Sequence, residues 1–264
     1  FRVQEELRIG NQLKENNLKL LYTGNYNFEF PIIPFIQFKN IDNDFSFYNN
    51  ELVFQKQSIN VNNQSIGMIV PIKHLGYIQI DANNQIIDYE NENYNDEHFD
   101  YFSFIINVDQ IDNILYPTNG FKIDYYYELN KNNDSYTKSN FSFDYYHKIF
   151  KRSSIRFFGD SFNSKDLLST YKNINYINHD RTLTFSEYDL FGNKLSSFGV
   201  ELNYLYKSSQ TFRILFNTIY NIEFPNSDFE NKDLNSIGIG LRVKSILGPI
   251  NFLWTISEKG LFNN

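Results

Sequence analysis

Strict two-residue alternation constrains this chain more than any other feature, and it is clearest over residues 236–257. Ile237, Ile239, Leu241 and Val243 fall on one side, and Gly238, Gly240, Arg242 and Lys244 on the other. Beyond Leu247-Gly248-Pro249 the alternation resumes, with Ile250, Phe252, Trp254 and Ile256 against Asn251, Leu253, Thr255 and Ser257. Successive side chains of a strand point to opposite faces, so this stretch is a hairpin with one apolar and one mostly polar face. Its turn is built from Gly and Pro, whose fixed or permissive φ angles suit chain reversal.

The same alternation runs through much of the sequence. Phe121, Ile123, Tyr125, Tyr127 and Leu129 oppose Lys122, Asp124, Tyr126 and Glu128, directly after the turn Tyr116-Pro117-Thr118-Asn119-Gly120. Alternation and turn signals give about eight strands before that turn, near 2–9, 18–30, 32–39, 45–48, 51–57, 65–71, 75–80 and 100–108, and about seven after it. Long connections near 11–17, 40–44, 58–63, 81–98, 130–137, 161–194 and 222–234 alternate with short ones near 31, 49–50, 73–74, 117–120, 151–152, 207–210 and 246–249. That parity is the layout of an outer-membrane barrel, which has short periplasmic turns and longer external loops.

Gly-x-Gly-Leu-Arg, a strand, Leu-Gly-Pro and a further strand, preceded upstream by Pro-Thr-Asn-Gly, resemble the BamA/TamA-type outer-membrane barrel superfamily. Two turn motifs carry the match, at Pro117 and Gly120 and at Gly248 and Pro249, and it spans about the last 150 residues. The resemblance implies an all-β, transmembrane, antiparallel up-and-down barrel of about 16 strands in the bacterial outer membrane. Residues 1–264 are expected to form this single domain. The count of about fifteen strands suggests that a closing strand is missing from the sequence.

Composition agrees with this reading and removes rivals. Among the 264 residues, 18% are aromatic, Cys is absent, and the net charge is −7. No thiolate metal site or disulfide framework is available, and the acidic balance argues against nucleic acid as a partner. No run of about 18 apolar residues exists to form a membrane helix. The chain starts at Phe1 without a leader, which suggests that any upstream segment has been removed. The negative mean hydropathy is compatible with a membrane barrel, because only alternate residues of each strand meet lipid. A soluble ligand-binding β-barrel has the same alternation with the apolar face turned inward, so alternation alone leaves it open.

No catalytic constellation is present. There is no Gly-x-Ser-x-Gly elbow, phosphate loop or His-Glu-x-x-His motif. His74, His98, His147 and His179 are scattered, and the acidic stretch 87–100 lacks calcium-loop spacing; no metal, cofactor or enzymatic activity is expected. The superfamily carries an internal loop with an Arg-bearing tip paired to strand acids. The nearest match here is Phe185, Ser186, Glu187 and Tyr188, followed by Gly192, with Ser186 where Arg is expected and Asn203 and Asn217 where acids are expected. Gly238 and Gly240, beside Arg242, are expected to thin the wall near the seam, since Gly weakens strands. Tyr22, Tyr48, Tyr101, Tyr127, Tyr146, Tyr204, Tyr206 and Trp254 are candidates for interfacial girdles.

The resemblance implies insertion or translocation of proteins at the outer membrane. Its alternative is a passive anchor and export pore for an N-terminal passenger such as a patatin-like phospholipase. Expected partners are outer-membrane lipid and lipopolysaccharide, with a client or passenger protein; the oligomeric state is left open.

Overall fold

The computed structural model describes residues 2–9, 13–21, 31–48, 54–89, 95–113, 116–130, 135–165, 194–207, 210–223, 234–245 and 248–257. These contain thirteen strands in one sheet whose spatial order follows the chain order. The first six are β1 (Arg2–Ile9), β2 (Leu13–Leu21), β3 (Ile33–Tyr48), β4 (Phe54–Ile72), β5 (Gly76–Tyr89) and β6 (Glu97–Asp109). Then come β7 (Gly120–Asn130), β8 (Tyr136–Phe150), β9 (Ser153–Lys165), β10 (Lys194–Lys207), β11 (Gln210–Glu223), β12 (Leu234–Ser245) and β13 (Gly248–Ser257). The registered neighbours from β1 to β5 and from β9 to β13 are all antiparallel. Contacts group the chain into two compact units, one of residues 1–106 and 126–137, the other of residues 107–125 and 138–264.

Among the described residues, seven strands follow the Pro-Thr-Asn-Gly turn, as the alternation indicates, and six precede it, where the alternation gives about eight. The difference lies in two asparagine-rich stretches. Residues 40–44 and 58–63 have loop composition, yet they are the middle of β3 and β4. Their amides link β3 and β4: across the strands Asn40 Nδ2 donates to Asn62 Oδ1 at 2.8 Å and Asn60 Nδ2 to Asp42, and along β4 Asn62 Nδ2 donates to Asn60 Oδ1 at 2.6 Å. Cross-strand pairs of this kind offset the weak strand propensity of Asn. The strand expected near 18–30 is β2, starting at Leu13; residues 22–30 lie outside the described residues.

In the unit that contains β9 to β13, burial is inverted relative to a soluble protein. The register aligns Leu202, Ile214, Ile239 and Trp254 in one row across β10 to β13. Their exposures are 44%, 54%, 60% and 68%. The next row on the other face holds Asn203, Arg213 and Gly240, all buried. Apolar side chains left in contact with the medium, over charged side chains that are buried, suit a sheet whose outer medium is lipid. A soluble barrel would show the opposite, and Ile237, Ile239, Phe252 and Trp254 all face outward here.

In the unit that contains β1 to β5, the faces change character along the strands. Near the 73–75 turn the exposed face is apolar, with Ile36, Ile66, Met68 and Ile80, while Ser65, Asp81 and Asn83 are buried. Two rows further along, Asn40 and Asn62 stand on the exposed parity, and Val61 and Ile87 pair directly on the buried face at 1% and 0% exposure. The apolar outer face thus ends partway along β3 and β4, and beyond it the burial is that of a sheet in water, apolar inside and polar outside.

Candidate functional site: a charge ladder on the buried face

Four adjacent strands each place one charge on the buried face: Asp144 on β8, Arg156 on β9, Glu201 on β10 and Arg213 on β11. Glu201 and Arg156 are direct register partners. Arg213 is paired in register with Asn203 and reaches Glu201 on the diagonal, a spacing within reach of long side chains. Arg156 binds Asp144 Oδ1 through Nε at 2.6 Å and Nη2 at 2.5 Å, and Glu201 Oε2 through Nη1 at 2.9 Å. Arg213 donates from Nε to Glu201 Oε1 at 2.6 Å and from Nη2 to Oε2 at 3.1 Å.

Signs alternate along the ladder, so two cations meet two carboxylates and the cluster is neutral. The planar guanidinium fork is suited to bridging carboxylates in this way. The Arg156 guanidinium also lies 4.4 Å from the Phe158 ring centroid and 5.7 Å from that of Tyr146. Phe158 is fully buried, and a Cβ on its register partner Gly199 would sit 2.2 Å from the ring. Gly199 therefore makes the space that lets Phe158 lie under Arg156. The ladder has no nucleophile and no open coordination position. It ties four strands together and keeps their buried face polar.

The other unit carries its own polar cluster. Asp81 accepts hydrogen bonds from Gln79 Nε2 at 2.9 Å, Asn83 Nδ2 at 2.7 Å and Ser103 Oγ at 2.7 Å. Lys19 Nζ donates to Gln79 Oε1 at 3.1 Å and lies 3.9 Å from the Phe35 ring centroid. Glu128 accepts from Tyr126 Oη at 2.6 Å and from Tyr136 Oη.

The residues singled out from sequence fall in several places. Phe185, Ser186, Glu187, Tyr188 and Gly192 lie outside the described residues. Asn203 and Asn217 are buried, on the same face as the ladder. That face does carry an acid, Glu201, two residues before Asn203. Gly240 sits opposite Arg213 in register, and its added Cβ would meet Phe252 O at 2.8 Å and Leu253 Cδ1 at 3.0 Å. Gly238 is buried opposite Leu215. Arg242, half-buried, lines a cleft described below. Gly248 and Pro249 are the first residues of β13 rather than its turn. Tyr204, Tyr206 and Trp254 are exposed as girdle residues should be, but Tyr101 and Tyr146 are buried at 8% and 7% because their positions share the parity of the buried face. Tyr127 is half-exposed, and Tyr22 and the Tyr48 side chain lie outside the described residues.

The Pro-Thr-Asn-Gly turn is held by a residue that its motif does not include. Asp112 accepts from the Thr118 amide at 2.8 Å and from Thr118 Oγ1 at 2.5 Å. The Asp112 amide donates to Asn119 O at 3.0 Å. Partial burial alone would raise the Asp112 carboxyl; donors at Thr118, Asn119 and Asn113 outweigh it and hold the group below its ordinary value. Pro117 is buried, and Gly120 enters β7 at φ +115°, where a Cβ would clash with Gln110 O at 2.0 Å.

No protein-family model and no curated protein matches this chain. Among solved structures it is similar to BamA from Haemophilus ducreyi lacking POTRA domains 1–3. The identity is 14% and the TM-score 0.70, over 94% of this chain and 59% of that one. It is also similar to CdiB from Escherichia coli, at 12% identity and TM-score 0.61, over 93% of this chain and 49% of that one. The chain thus spans about half to three-fifths of the structures it matches. At these identities the likeness is one of fold, and both neighbours are outer-membrane β-barrels.

Proposed function

We propose, from the premise that this chain has the BamA-type outer-membrane β-barrel fold, that it is an integral outer-membrane protein that inserts or translocates other proteins. One observation carries the membrane part: rows of exposed apolar side chains on β10 to β13 backed by a buried charge ladder. Protein handling rests on the shared fold. Physically, an up-and-down sheet has two end strands, β1 and β13 among the described ones. An edge presents unpaired N–H and C=O groups and can template an incoming strand. The ladder supports this by stiffening β8 to β11, so that opening is confined to the edges. The activity is non-enzymatic, and the partners are outer-membrane lipid, lipopolysaccharide and a client protein.

The test has two steps. Membrane fractionation should place the chain with the outer membrane, and extraction should need detergent. Reconstituted into liposomes, it should speed the folding of a urea-denatured outer-membrane barrel relative to empty liposomes. An outer-membrane chain that leaves that rate unchanged would be the passive anchor and pore for a passenger, such as a patatin-like phospholipase, and would refute the insertase reading.

A further inference from the structure

A cleft opens at the short-turn end of β8 to β12, on the same face as the ladder. Its wall includes Lys148, Lys151, Arg152 and Arg242, and no carboxylate. Lys148, Lys151 and Arg152 are exposed and have no ion-pair partner among the described residues. Two buried neutral side chains also line it, Asn203 at 8% exposure and Thr211 at 7%. The Thr211 hydroxyl oxygen has no hydrogen-bond partner. A buried hydroxyl left unsatisfied costs about 1–3 kcal/mol, so a ligand that bonded it would be favoured.

We infer that this cleft binds a phosphate-type oxyanion. Cations from β8, the 151–152 turn and β12, together with the β11 hydroxyl, line it from separate elements. That suits a multi-oxygen anion better than a carboxylate, which a single guanidinium fork already satisfies. Lys148, Lys151 and Arg152 have no acid among the described residues, in contrast to the ladder, where each Arg has its acid. Phe150, 72% exposed, also lines the cleft and gives it an apolar margin. The oxyanion can come from free phosphate or from the headgroup of a glycerophospholipid. The lipid source rests on the membrane reading above; the free-phosphate source does not.

The experiment uses the full chain in zwitterionic detergent. Inorganic phosphate is titrated by calorimetry, and phosphatidylglycerol is added in a parallel series read by native mass spectrometry. Saturable phosphate binding is expected, weakened at least about tenfold by Lys148→Gln with Arg152→Gln, both surface changes that spare the fold. Thr211→Val should weaken it further, while Lys165→Gln at the far end of β9 should not. Retention of phosphatidylglycerol but not phosphatidylcholine, lost in the same variants, assigns the lipid source; saturable phosphate without lipid retention assigns the free anion. Binding of both probes that is absent, non-saturable or indifferent to these substitutions overturns the site, whatever becomes of the transport reading.

Discussion

At the scale of single residues, Glu201 is the pivot of the ladder, because both arginines bond to it. Glu201→Gln leaves Arg213 without its carboxylate and Arg156 with only Asp144. Breaking a buried pair from one side costs about 3–5 kcal/mol, mostly from the charge left behind. The expected result is a loss near the lower end of that range in urea unfolding from lipid vesicles. Adding Arg213→Met should recover a large part of it, since the orphaned cation is then gone; strict additivity of the two changes would show that the contacts are not coupled. Asp112 supports a prediction about pH. Its carboxyl is held below its ordinary value in the folded turn, so its contribution is complete above the unfolded value of about 4 and is lost as pH falls through the lower folded one. Exchange protection of the Thr118 amide, corrected for intrinsic rate, should therefore be constant from neutral pH to about pH 4 and fall only below that; Asp112→Asn should remove the pH dependence.

At the scale of elements, strands β7 to β13 were legible because Ile, Phe and Tyr alternate with polar residues almost without interruption. β3 and β4 were not, because Asn favours turns and a run of it carries no period. What makes those residues strand is a ladder of amides between Asn40, Asn62, Asn60 and Asp42, which depends on a register that the sequence does not show. The charge ladder escaped for a related reason. Glu201 and Arg156 lie 45 residues apart, and nothing local marks them as partners. The motif residues Pro117 and Gly120 were recognisable, but Asp112, which staples their turn, lies upstream of them. The change of face along β3 and β4 makes its own prediction. In intact membranes, Asn62→Cys should react with a water-soluble maleimide, and Ile66→Cys, about 13 Å further along β4 toward the 73–75 turn, should react at least about tenfold more slowly, since it belongs to the lipid-facing band. Equal labelling of both would place the lipid boundary elsewhere.

At the scale of the whole molecule, the arrangement of polarity ties stability to the medium. Along β10 to β13 the outer row of Leu202, Ile214, Ile239 and Trp254 is held in place by the same register that sets the inner row. A register slip of one residue would put Arg213 into lipid and Ile214 against the ladder, so membrane and ladder select the same pairing. The two faces should therefore respond oppositely to charge. Phe216, 45% exposed and seventh of the fourteen residues of β11, faces outward at the middle of the strand; Phe216→Arg should cost about 2–4 kcal/mol in lipid vesicles, the value for a cation near the midplane. Tyr220→Arg, on the same face toward the end of β11, should cost about 0–1 kcal/mol, because penalties fall off near the interface. Urea titrations of both variants in vesicles measure this difference directly. A soluble sheet would give no such gradient, since both positions would simply meet water, and equal, small effects at residues 216 and 220 would place the exposed rows in water and remove the ground for an outer-membrane role.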